Sequence, residues 1–460
     1  MNKSRILRLS LQLEGIVIFH KVKKDPVVAS LIKLLKLLSS DNPDIREVYR
    51  DYHHFCSLAT QVHWPDYLFQ LLLQDENQLS EELITFGQDH LPLELLQLAQ
   101  RDLSCWRELA KLTDVDIKAL VIEHLKDQEG RMSEMELDLW QEAPLAPQSW
   151  PAWVKYSPFS LAQEGEKNQA LAYLNTSLNK MLDILKQGTT EESLEALLSY
   201  YQSMGTGLFG QSIALKWQGN TKNLASVKPD PIRLGQLVNQ EREQSIILEN
   251  TEYFLKGYPA NNIILYGNRG TGKSSLVKAL LHEYCDQGLR LVELSKTDLY
   301  DYPLVLKHLL KQPLKFIIFI DDLSFEDTEA DYKSLKTLLE GGLEAKPKNV
   351  LIYATSNRRH LVRETFSERQ GDEVHRRDNM EEKLSLSDRF GITVTFPSPD
   401  QEGYLKIVEE LALQEGLKIP REDLRQQALR WVMLHNARSG RTARQFIDFL
   451  VAKENVGSPR

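Results

Sequence analysis

The apolar positions of this chain follow two different periods. From about residue 26 to 141 they recur every three or four residues, as in Leu31, Leu34, Leu35 and Leu38, and again in Leu91, Leu95 and Leu98. That spacing predicts amphipathic helices, with Pro43, Pro65 and Pro92 marking starts or breaks. The stretch 144–158, PLAPQSWPAWVKYSP, holds four prolines, too many for a helix, and predicts a linker over 144–159 with Trp150 and Trp153 packed on a neighbouring domain. Helical periodicity returns over about 160–203 and predicts a second helical segment, taken to run to residue 228.

After Pro229 and Pro231 the pattern changes. Short, continuous apolar runs at Asn262–Tyr266, Leu289–Leu294, Phe316–Ile320, Val350–Thr355 and Ile392–Phe396 alternate with helix-like stretches at 273–286, 302–311 and 331–340. Uninterrupted apolar strands separated by helices predict a parallel sheet covered on both faces. From Pro399 onward the pattern is helical again. The predicted organisation is a helical N-terminal region (1–143), the linker (144–159), the second helical segment (160–228), an α/β domain (229–399) and a C-terminal helical segment (400–460).

The first of these strands runs directly into Gly267-Asn268-Arg269-Gly270-Thr271-Gly272-Lys273-Ser274-Ser275, and a helical pattern follows at once. Strand, G-x-x-x-x-G-K-S and helix in that order predict a phosphate-binding loop, and with it a P-loop NTPase fold of three αβα layers. Gly267, Gly270 and Gly272 let consecutive backbone N–H groups turn toward one anion, and the helix N-terminus adds partial positive charge. Lys273 is placed to reach the β- and γ-phosphates, and the Ser274 hydroxyl to coordinate Mg2+.

Two further strand ends carry candidate chemistry. The run Phe316–Ile320 ends in Asp321-Asp322, and carboxylates at the C-terminal end of a buried strand face the ligand crevice of an open α/β sheet. Asp321 is the predicted Mg2+ holder, and Asp322 the group that orients or deprotonates an attacking water. The run Val350–Thr355 ends in Ser356-Asn357, whose amide both donates to a γ-phosphate and accepts from the water. Gly205, Gly207 and Gly210 match G-x-G-x-x-G but follow a helical pattern rather than a strand, so they predict a connector.

Composition narrows the setting. A length of 460 residues suggests about three domains. The three cysteines, Cys56, Cys105 and Cys285, fit no zinc spacing and read as buried thiols of a reducing compartment. No apolar run approaches a membrane span, and no signal-peptide core follows Met1, so the expectation is a cytoplasmic protein without a membrane partner. Residues 1–230 hold 23 Lys and Arg against 31 Asp and Glu, and residues 51–100 have no basic residue against eight acids. Such a surface repels phosphate backbones, so nucleic acid is not the favoured partner of the N-terminal half. Residues 421–460 carry eight Lys and Arg against four acids, which leaves a nucleic-acid-associated ATPase as an alternative for the C-terminal half.

These features in this order resemble the AAA+ group of P-loop ATPases. Gly267–Ser274 is similar to Walker A, Phe316–Asp322 to Walker B and Asn357 to sensor 1. Arg389, in Leu386-Ser387-Asp388-Arg389-Phe390-Gly391, resembles the arginine finger, and Arg444, in Arg-Gln-Phe, resembles sensor 2, with Arg441 as runner-up. Leu234–Gln240 resembles the segment packed near adenine, although AAA+ proteins usually show Gly where this chain has Asn239. More narrowly, the motif string resembles a bacterial AAA+-like ATP-binding family without an established role, over residues 230–460. The resemblance implies ATP and Mg2+ as ligands, a ring or helical homo-oligomer, ATP hydrolysis coupled to binding or remodelling of a protein partner held by the N-terminal helical region, and a C-terminal helical lid. A binding switch with negligible turnover is the alternative, because Walker B usually ends Asp-Glu and here ends Asp-Asp. Ser295–Tyr302 also lacks the aromatic-hydrophobic-Gly pore loop of threading unfoldases.

Overall fold

The computed structural model describes residues 3–40, 43–59, 63–127, 138–153, 169–323, 347–357, 390–435 and 438–457. The chain divides into two compact units, Met1–Gln211 and Ser212–Arg460.

The first unit is helical: α1 (Lys3–Glu14), α2 (Pro26–Ser39), α3 (Ile45–Ala59), α4 (Trp64–Gln74), α5 (Gln78–Phe86), α6 (Leu93–Ala110), α7 (Asp114–Asp127), α8 (Gln169–Gln187), α9 (Thr190–Met204) and the short α10 (Gly207–Gln211). The apolar stripe of α2 accounts for its place: Leu31, Leu34, Leu35 and Leu38 are all buried, and Asp25 caps its N-terminus by accepting from the Val27 and Val28 amides. Residues 144–153, expected to be a linker, are instead part of this unit. Trp150 is buried against Tyr49 and Tyr52 of α3, with ring centroids 5.4 and 4.9 Å apart, and the Tyr52 hydroxyl donates to the Pro151 carbonyl at 2.7 Å. Proline excluded a helix here, as expected, but the two tryptophans give the segment enough apolar area to stay on the helical core. Gly205, with φ +80°, ends α9, and Tyr200 donates to the Gly210 carbonyl. The G-x-G-x-x-G match is therefore an ordered helix end.

The second unit is a mostly parallel seven-stranded sheet with flanking helices, as the sequence predicts for a P-loop NTPase α/β fold. Its strands are β1 (Ala214–Gln218), β2 (Asn223–Ser226), β3 (Ile263–Gly267), β4 (Leu289–Glu293), β5 (Lys315–Ile320), β6 (Val350–Ser356) and β7 (Ile392–Phe396), in the order β2-β1-β4-β5-β6-β3-β7. Every pair is parallel except β1 with β2. The hairpin β1–β2 corrects the helical reading of residues 212–228. Leu215 and Trp217 of β1 are buried, and the Trp217 indole donates to Asp301 at 3.0 Å, so two short strands extend the sheet beyond β4.

Among the described residues the sheet is flanked by α11 (Glu241–Leu255), α12 (Lys273–Tyr284) and α13 (Tyr302–Leu309). Three C-terminal helices, α14 (Gln401–Gln414), α15 (Arg421–His435) and α16 (Gly440–Gly457), share their own core of Tyr404, Leu405, Val408, Leu424, Phe446 and Ile447. The order of the sheet matters for function. The glycine-rich loop leaves β3 between β6 and β7, and β5 lies just beyond β6. The C-terminal ends of β3, β5 and β6 therefore open onto one crevice, where the chain order of the strands reverses.

Candidate functional site

The loop after β3 is shaped by close backbone approach. A Cβ on Gly267 would run into the Phe396 carbonyl of β7, and one on Gly272 would run into the Gln240 side-chain amide. Gly272 is also the N-cap of α12, with φ +92° and no side-chain cap among the described residues, which leaves the first amides of that helix able to donate to an anion. The Thr271 carbonyl accepts from Gln240 Nε2 at 2.7 Å. Thr271 Oγ1 donates to the Asn268 carbonyl at 2.9 Å, and Asn268 Nδ2 donates to Ser398 Oγ at 2.7 Å. Asn268 and Thr271 thus pin the loop itself.

Lys273, the first residue of α12, is buried at 6% exposure. Its Nζ donates to the Gly267 and Asn268 carbonyls at 2.6 and 2.8 Å and to Asn357 Oδ1 at 3.1 Å. Burial holds its pKa below the usual 10.5, Asp321 and Asp322 oppose that shift, and the nearby charges of Arg269 and Arg441 add to it.

The predicted carboxylates meet this lysine's neighbours. Ser274 Oγ donates to Asp321 Oδ1 at 2.6 Å, and so does Thr355 Oγ1 from β6 at 2.6 Å. Thr355 also accepts from the Asp322 amide at 2.9 Å, which fixes a residue whose φ is +53°, a conformation that Asp tolerates better than most side chains. Asn357 Nδ2 donates to Asp322 Oδ1 at 2.6 Å, and Arg269 lies 3.7 Å from Asp322 Oδ2. Lys273, Ser274, Asp321, Asp322, Asn357 and Arg269 therefore form one connected polar cluster.

A cleft of about 500 Å3 opens over this cluster, lined also by Gly270, Ser275, Leu237, Val238, Arg441 and Arg444. Its apolar side comes from Ile232, Leu237 and Val238 and from Ile407 and Leu411 of α14, with Val238 also packed on the core of α14–α16. Asn239, where a glycine was expected, has φ +63°. Asn enters the left-handed region at lower cost than other non-glycine residues, so the backbone bend survives the replacement. The Arg441 amide donates to the Gly270 carbonyl at 3.3 Å, whereas the Arg444 guanidinium is paired with Glu415 at 2.7 Å. Arg389 lies outside the described residues. Sequence reading missed Thr355, which looks like an ordinary β-former, and Gln240, whose role depends on a loop distant in sequence.

A family model described as "Protein of unknown function (DUF815)" matches residues 210–454, more than half of the chain. The chain belongs to the DUF815 family. The match begins beside the boundary between the two compact units. Over 222 residues the chain is 27% identical to a proteasome-activating nucleotidase of Methanoregula boonei, covering 41% of this chain and 44% of that protein. Over 73 residues it is 37% identical to a replication factor C large subunit of Staphylothermus marinus, 16% of each chain. The chain spans less than half the length of these curated relatives. DUF815 membership, these AAA+ similarities and the sheet order place it among AAA+-like P-loop proteins.

Proposed function

We propose that this protein binds and hydrolyses ATP, and that assembly into a ring or helical homo-oligomer couples its nucleotide state to binding or remodelling of a protein partner. The observation that supports this reading best is the cluster of Lys273, Ser274 and Asp321 at the mouth of the glycine-rich loop. Ser274 Oγ and Asp321 Oδ1 are hard oxygen donors on adjoining elements, the donor type that Mg2+ prefers. They fit that ion, which when bound would neutralise phosphate charge. Lys273 and the amides that open α12 bind phosphate, Asn357 orients a water, and Asp322 takes its proton. In this reading Val238 and Leu237 pack on the base, Arg389 of a neighbouring subunit completes the site, and Arg444 or Arg441 moves with the helical lid. A nucleic-acid partner remains the less favoured reading.

The test is steady-state ATP hydrolysis by the full chain against Lys273→Ala. The expected outcome is Mg2+-dependent turnover in the wild type and none in the variant. Equal rates in both proteins would end the proposal.

The hold of Asn357 and Arg269 on Asp322 favours a second reading, a nucleotide-dependent switch with negligible turnover. In that case Lys273→Ala abolishes ATP binding, while the wild type binds without hydrolysing.

A further inference from the structure

A second cavity, of about 450 Å3, lies wholly within the N-terminal helical unit. Trp64 and Phe69 of α4 and Leu185 of α8, all buried, form the apolar part of its lining, beside the charged Lys111, Asp114 and Lys186. The Trp64 indole N–H is already used on the Leu109 carbonyl, so that ring is anchored. Arg107, on α6 and 9% exposed, is also on this lining. Arg107 donates to the Gly188 carbonyl, and its Nε finds no acceptor among the described residues.

The acids around the cavity are engaged elsewhere. Asp114 pairs with Lys118 at 3.0 Å, and Asp66 pairs with His63 at 2.8 Å and Lys186 at 2.5 Å. Glu192, which feels the Arg107 charge, accepts from the Thr189 amide at 2.6 Å as part of the α9 cap. An arginine cannot discharge itself by losing a proton. Buried without a paired carboxylate among the described residues, it is costly to the unit on its own, and an incoming anion would offset that cost.

We infer that this cavity is a binding site for a small carboxylate carried on an apolar, aromatic-sized body. The carboxylate meets the Arg107 guanidinium, and the body packs on Trp64, Phe69 and Leu185. One guanidinium matches a monoanion, and the volume lies in the range of ordinary small-molecule sites. Lys111, also on the cavity lining, is exposed but paired with Glu108 at 2.7 Å, so the charge offered to the carboxylate is that of Arg107.

The experiment is calorimetric titration of the full chain with N-acetyl-L-tryptophan and, in parallel, with its carboxamide. Hydrogen exchange of residues 63–69 and 107–112 is followed in the same samples. The expected result is binding of the acid about tenfold or more tighter than the amide, with protection confined to those two segments and to the stretch of α8 around Leu185. Arg107→Gln should erase the preference for the acid while leaving affinity for the amide unchanged. The acid–amide comparison on the wild type decides the matter even if that variant fails to fold. Equal binding of acid and amide, no binding of either, or protection elsewhere would overturn the assignment. Lys273 plays no part in the readout, so the outcome is independent of the nucleotide site.

Discussion

In the proposed reading, burial prepares Lys273 to bind phosphate. Its depressed pKa comes first from desolvation, which disfavours the ammonium in the folded chain. The sign follows from linkage. The unfolded chain binds more protons between the lowered folded pKa and the usual 10.5, so this destabilising contribution is full below the folded pKa and fades as pH rises through that window. Phosphate oxygens beside Nζ reverse the shift. ATP binding should therefore take up protons on the alkaline side, and affinity should fall as pH climbs toward 10.5. Calorimetry in two buffers of different ionisation enthalpy measures this uptake; none in that window would remove Lys273 as the phosphate ligand. Asp322 gives a second residue-scale prediction. Its carboxylate is one methylene shorter than the Glu usual there, and it is tied to Asn357. Asp322→Glu should raise ATP turnover, by about tenfold if general-base placement limits the rate, as read in a coupled phosphate-release assay. An unchanged rate would mean that water is already well positioned or is held by another group.

At the scale of elements, the site was legible wherever chemistry and backbone shape coincide in a short stretch. G-x-x-x-x-G-K-S after an apolar run, and carboxylates or an amide ending two further runs, placed Lys273, Asp321, Asp322 and Asn357 on strand and helix ends that do converge. The hairpin β1–β2 was not legible. Its strands have five and four residues, too short for a period-2 signal to outweigh the helical pattern before them, and they are held by partners such as Asp301 far along the chain. Thr355 was missed for a similar reason, since its value lies in donating to the Asp321 carboxylate while accepting from the Asp322 amide. Asn239 offers a test of backbone control at this scale. Its φ of +63° bends the segment that carries Val238 into the cleft. Asn239→Ala should cost about 1 kcal/mol of stability, and Asn239→Gly should be close to neutral. Denaturant unfolding distinguishes them; an alanine variant as stable as the glycine one would show that the bend is not what the residue supplies.

For the whole molecule, the proposed reading has Lys273, Ser274, Asp321 and Asn357 of one chain hold phosphate, metal and water, while the arginine that would complete the reaction centre is, on the AAA+ resemblance, Arg389 of a neighbour. A finger supplied in trans contributes about 10³–10⁵ in rate, or ~4–7 kcal/mol of barrier. Hydrolysis would then be negligible in a monomer and would appear only with assembly. Specific activity should climb steeply with protein concentration and level off once the oligomer is complete, with sedimentation following the same curve. Arg389→Ala should keep ATP affinity within about twofold, because the residue acts on the neighbour's transition state rather than on ground-state binding, and should lower turnover to the monomer level at every concentration. Mixing that variant with Lys273→Ala sharpens the test. Each lacks what the other retains, so mixed assemblies should recover activity at those interfaces where an intact Lys273 site meets an intact Arg389. If activity per chain stays flat with concentration and the mixture recovers nothing, the site works in one chain alone, and the cluster of Arg269 with Asp322 becomes the first place to look for its charge stabilisation.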